Sequence, residues 1–127
     1  MRFRRYTIAD GMPQNSVTTI TQDRKGYIWI GSRSGLCRFD GLTFKQFSET
    51  SDGQNIGWVH KIRIADDGET LILKIHGDKY YYFYPSSRTL KPVNGKIDLG
   101  VQEPPHTILD FDEKGMIVRK SPDSETY

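Results

Sequence analysis

A single cysteine, Cys37, stands in the 127-residue sequence. That count excludes an internal disulfide and any multi-cysteine zinc site. Cys37 itself reads as a small apolar strand residue, since free cysteine is usually buried. Charge of one sign is equally scarce: 18 Lys and Arg face 16 Asp and Glu, a formal net charge of +2. Binding driven by phosphate contacts wants basic residues clustered on one face. The densest groups here, Arg2 with Arg4 and Arg5, and Lys61 with Arg63, are small and mixed with apolar residues, so no nucleic-acid partner is expected. Long hydrophobic runs are missing too. The longest apolar stretches resemble Tyr27-Ile28-Trp29-Ile30, too short to span a bilayer, and no membrane contact is expected of this segment. Met1 to Tyr6 lacks the apolar middle of a secretory signal, as would a fragment starting downstream of a removed one.

Aromatic residues are plentiful: six Phe, seven Tyr and two Trp, enough to build a core for one domain. Helical periodicity is nearly absent. Short β-rich runs recur at Val17–Thr21, Tyr27–Ile30, Leu36–Phe39 and Thr43–Phe47, separated by Gly, Asp, Ser and Asn. Such spacing predicts a meandering antiparallel sheet. The turns at Asp23-Arg24-Lys25-Gly26, Asp40-Gly41 and Asp66-Asp67-Gly68 place glycine where a tight turn needs positive φ. The class is all-β.

The runs also repeat. Val17, Ile20, Gly26 and Gly35 have counterparts at Val59, Ile62, Gly68 and Gly77, each at an offset of 42. A partial third copy aligns Leu109 and Lys114-Gly115 with Ile62 and Asp67-Gly68. Periods of 40 to 50 with about four strands each mark β-propeller blades, four-stranded antiparallel sheets that need a neighbour on each flank.

Phe3-x-x-Tyr6-Thr7, then Asp10-Gly11-Met12-Pro13-Gln14-Asn15-Ser16-Val17-Thr18-Thr19-Ile20, then Gln22-Asp23-Arg24-Lys25-Gly26-Tyr27-Ile28-Trp29-Ile30-Gly31 resemble the two-component regulator propeller repeat. The likeness continues through Ser34-Gly35-Leu36-Cys37-Arg38-Phe39-Asp40-Gly41-Leu42-Thr43-Phe44. In the second copy, Leu71-Ile72-Leu73 replaces the Trp-Ile-Gly segment. The resemblance implies a place in the periplasmic sensor region of a hybrid two-component histidine kinase of the Bacteroidetes type. Its ligand would be a small molecule or an oligosaccharide derived from glycans.

The blades are expected at 16–47 and 58–93, with a third beginning at 106–127 and residues 3–7 supplying the outer strand of a closing blade. Inner strands are expected at Val17–Thr21, Val59–Ile64 and Thr107–Phe111, and Trp29 should fill the wedge between neighbouring blades. Phe39, Phe44 and Phe47 read as core or flank residues. The run Tyr80-Tyr81-Tyr82-Phe83-Tyr84 places aromatics on both faces of one strand, mostly as blade packing. Closed propellers have 4–8 blades, so residues 1–127 read as an incomplete propeller fragment. Its partners would be the remaining blades of the parent chain or, through unpaired edges, a second copy.

No acid/base pair, triad or phosphate loop is recognisable, and no cofactor, metal site or catalytic residue is expected. Asp10, Asp23, Asp40, Asp52, Asp66, Asp67 and Asp112 read as turn residues, and His60, His76 and His106 lack metal-ligand spacing. A protein-interaction scaffold, or less readily a propeller lyase or hydrolase, is the alternative reading. If a ligand binds, blade geometry gathers the loops entering each blade and those joining its second and third strands at one end. That end would hold Gln14, Asn15 and Arg33, then Asn55, Trp58 and His76, and finally His106. Amides and guanidinium offer directional hydrogen bonds, and indole can stack on a sugar.

Overall fold

The computed structural model describes residues 2–7, 9, 11–12, 17–95, 108–112 and 115–120. Those residues form eleven strands and no α-helix. After β1 (Arg2–Tyr6), the strands β2 (Val17–Gln22), β3 (Ile28–Ser32), β4 (Gly35–Phe39) and β5 (Phe44–Phe47) make one antiparallel meander, each paired with its successor. A second meander follows in β6 (Lys61–Ile64), β7 (Leu71–Ile75), β8 (Lys79–Tyr84) and β9 (Thr89–Pro92). The last strands, β10 (Ile108–Asp112) and β11 (Gly115–Lys120), pair with each other, and β1 joins them along β11 in the order β1-β11-β10. The architecture is an incomplete β-propeller.

The first meander is the middle layer, and its sequence shows why. A strand covered on both faces reads as a continuous apolar run, and all five residues of β3 are buried. Alternation sends Ile28 and Ile30 to one face, where they pack with Cys37 and Phe39 of β4 and with Tyr6, Met116 and Val118 of the β1-β11-β10 sheet. Trp29 faces the other way, into a core shared with Leu36, Phe47, Ile62, Leu71, Leu73, Ile75 and Phe83. Trp29 is 1% exposed, as its place in the wedge requires.

The two meanders are stitched at both ends of their inner strands. At one end, the Val59 N–H donates to the Ser32 carbonyl at 3.0 Å, and the Thr18 hydroxyl reaches the carbonyls of Gly31 and Val59. Gly31 permits this closeness. A Cβ built there would lie 2.6 Å from Thr19 Cγ2 and 2.8 Å from Val59 Cγ1. At the other end, the Arg24 N–H donates to the Gly68 carbonyl at 3.3 Å, joining the two hairpin tips.

The inner strands differ from expectation at their edges. β6 starts at Lys61: the Val59 N–H bonds back to Ser32 of the first meander, and only from His60, which donates to Lys74 of β7, does the chain turn to its own sheet. β1, expected as the outer strand of a closing blade, stands at the edge of its sheet and lies directly on β11, with Tyr6 opposite Met116 and Arg4 opposite Val118. No strand separates them among the described residues, so β1 occupies the edge that β11 leaves open. Of the expected third blade, only β10 and β11 fall among the described residues.

Turn aspartates hold the hairpins. The Asp23 carboxylate accepts from the Lys25 and Tyr27 N–H groups at 2.9 and 3.0 Å, and from the Trp29 indole N–H at 2.9 Å. Asp67 accepts from the Thr70 hydroxyl and from the Glu69 and Thr70 N–H groups, and those donors hold its carboxyl below the usual range. In β4, burial pushes the Cys37 thiol up to about 12. Only the thiolate reacts, so against the ordinary value of 9.0 this shift lowers the reactive fraction on the order of a thousandfold. Cys37 should therefore resist iodoacetamide at pH 8 in the folded chain and react freely in denaturant. Rapid native labelling followed by mass spectrometry would contradict its placement in the core.

Candidate functional site

Of the seven residues expected at the ligand end, Gln14, Asn15 and His106 lie outside the described residues. The other four are exposed at the surface, but only two of them meet. Arg33, in the turn between β3 and β4, sets its guanidinium 4.8 Å from the centre of the Trp58 ring. Trp58 lies in the crossing from β5 to β6 and is 42% exposed. His60 stacks on the same indole, with centroids 4.4 Å apart and planes at 26°. Arg33 and His60 thus both lie against the Trp58 ring, which still keeps 42% of its surface exposed. Arg33 lies over the ring on which a sugar would stack, and its exposure leaves it free to swing aside.

Asn55 and His76 share no hydrogen bond or ring contact with that pair. The Asn55 side-chain oxygen accepts from the Gly57 N–H at 3.1 Å, shaping the crossing loop. His76 sits in the β7–β8 turn with φ of 53° and meets Tyr81 edge-on at 5.7 Å. Both are occupied with local turn geometry.

A second concave region lies at the opposite, hairpin end of the blades, where sequence reading placed nothing. It is a cleft of about 410 Å³ between the two meanders, lined by Lys25, Tyr27, Arg38, Lys45, Glu69 and Tyr84 among others. The Arg38 guanidinium lies 4.7 Å from the Tyr27 ring centre, 5.6 Å from that of Trp29 and 5.5 Å from that of Phe47. A signal for it existed. A hairpin closing at Asp40-Gly41 pairs Phe39 with Phe44, and therefore Arg38 with Lys45 on one face. Among the described residues, no group of three or more His, Cys, Asp or Glu side chains is placed to hold a metal.

Residues 11–34 match the family model described as two component regulator propeller. Over that stretch the chain is similar to a two-component regulator propeller repeat. The matched repeat spans β2 and β3 and includes the Asp23 turn, Trp29 and Gly31, the residues that fix the hairpin and its wedge. One similar protein is histidine kinase P4 of Formosa agariphila, 51% identical over 43 residues. That stretch is 34% of this chain and 3% of the relative, so the chain corresponds to a small part of the relative's length. No solved structure matches the chain significantly. No helix among the described residues is long and apolar enough to cross a membrane.

Proposed function

We propose that this chain is part of the periplasmic ligand-sensing propeller of a hybrid two-component sensor histidine kinase, and that it responds to oligosaccharides released from glycans. The observation that carries the reading is the 43-residue stretch shared at 51% identity with a protein named as a histidine kinase, on a sheet framework of repeating four-stranded blades. The propeller's part is to bind, not to catalyse. A ligand that favours one arrangement of blades or dimer partners over another shifts that equilibrium by its difference in affinity, and the change is passed to the kinase.

Arg33 and Trp58 are the described residues best placed for such a ligand. A planar guanidinium donates to paired hydroxyls, and the indole face it vacates receives the ring. The flanking reading frame tests the assignment. A signal segment before residue 1, then further propeller repeats, a membrane span and kinase motifs after residue 127 are the expected result. A free-standing cytoplasmic frame would overturn it.

A further inference from the structure

The hairpin-end cleft carries an inference independent of the sensing role. Arg38 and Lys45 are directly opposed across β4 and β5, and like charges in that relation repel. Neither makes an ion pair with a described residue, whereas Lys25 pairs with Glu69 and Lys74 with Asp78. The carboxylates that line the cleft are already engaged. Asp23 accepts three N–H bonds, and Glu69 holds Lys25 at 2.7 Å. Three cations therefore face two carboxylates, an excess of one positive charge.

One of these cations is also held in place. Arg38 lies across Tyr27 and against Trp29 and Phe47, which fixes its stem and orients its fork before any ligand arrives. Lys25 is more than half exposed and its ion pair is worth little in water, so it can turn inward. Tyr84 on the far wall offers a ring beside the charge.

We propose that this cleft binds an oxyanion, a carboxylate or sulfate group carried by a small organic ligand, with Arg38 and Lys45 as its two charged contacts. Arg38 donates in-plane N–H groups to two oxygens while Lys45 supplies a point charge from the neighbouring strand. The site lies at the opposite end of the blades from Arg33 and Trp58, so the two can fill separately.

Titration of the 127-residue chain with sodium sulfate, sodium glucuronate and glucose, read by amide chemical shifts, tests this. Saturable shifts around Tyr27, Arg38 and Lys45 are expected with one or both anions, weakening as chloride is raised, and none with glucose. Sulfate alone marks a tetrahedral site, and glucuronate alone a carboxylate site with ring contact. Lys45→Gln should weaken binding about fivefold and Arg38→Gln about tenfold or more. Lys45→Gln removes a repulsion, so its melting temperature should hold or rise, which separates lost binding from lost folding. An equal response to glucose, unchanged affinity in folded Lys45→Gln, or no saturation by about 50 mM of either anion would overturn the proposal, since two such contacts give millimolar constants.

Discussion

Trp29→Ala is expected to cost about 3–5 kcal/mol, most of the stability of a marginal domain. The indole is 1% exposed and fills the wedge between the two meanders, 5.4 Å from the Phe47 ring and 6.4 Å from the Phe83 ring, centre to centre. Alanine would leave a cavity bounded by two sheets, whose backbones cannot close in without breaking the stitches at either end. It would also strip the Asp23 carboxylate of its indole donor. Trp29→Phe keeps much of the volume but not the N–H, so it should fall between wild type and alanine, losing about 1–3 kcal/mol. Urea unfolding followed by circular dichroism measures both. A loss below about 1 kcal/mol for alanine would mean that the indole does not hold the blades together.

Gly31→Ala is the second large effect, and its cause is space. The added methyl would meet Thr19 Cγ2 at 2.6 Å and Val59 Cγ1 at 2.8 Å, both on stiff β-branched side chains. Val59 is fully buried and its backbone is tied to Ser32, so it has nowhere to retreat. Overpacking of this kind costs about 1–3 kcal/mol. Val59→Ala removes the obstruction. Although that change costs stability alone, the double variant should lose less than the sum of the single losses, with a coupling of about 0.5–3 kcal/mol. Additive losses would show that the meanders do not approach at Gly31.

Much of this framework is legible in the sequence, because each feature has a local cause. Ile28-Trp29-Ile30 announces a strand covered on both faces, and Asp23 with Gly26 announces the hairpin before it. The offset of 42 reveals a second meander even where Leu71-Ile72-Leu73 replaces the Trp-Ile-Gly segment. Partnerships between distant residues are harder to read. Nothing local tells that Arg33 closes on Trp58, since the two come from different blades and meet only when the blades pack. The cleft at the hairpin end stays hidden for the same reason. Arg38 and Lys45 are paired by their own hairpin, but the wall opposite comes from Glu69 and Tyr84 in the next meander. The pairing of β1 with β11 depends on the open edge of β11 and on Tyr6, which packs against Phe39 and Phe44 of the first meander.

The central claim is that this propeller reports a ligand to a kinase. Phosphate incorporation from labelled ATP into the intact parent protein in membrane vesicles tests it most directly. Oligosaccharide pools released from different glycans would be added one at a time, with Arg33→Ala and Trp58→Ala variants in parallel. One pool should change the rate of phosphorylation in the wild type, and the variants should need more of it for the same response. Phosphorylation indifferent to every pool, or a parent protein without ATP-dependent phosphorylation, would contradict the account.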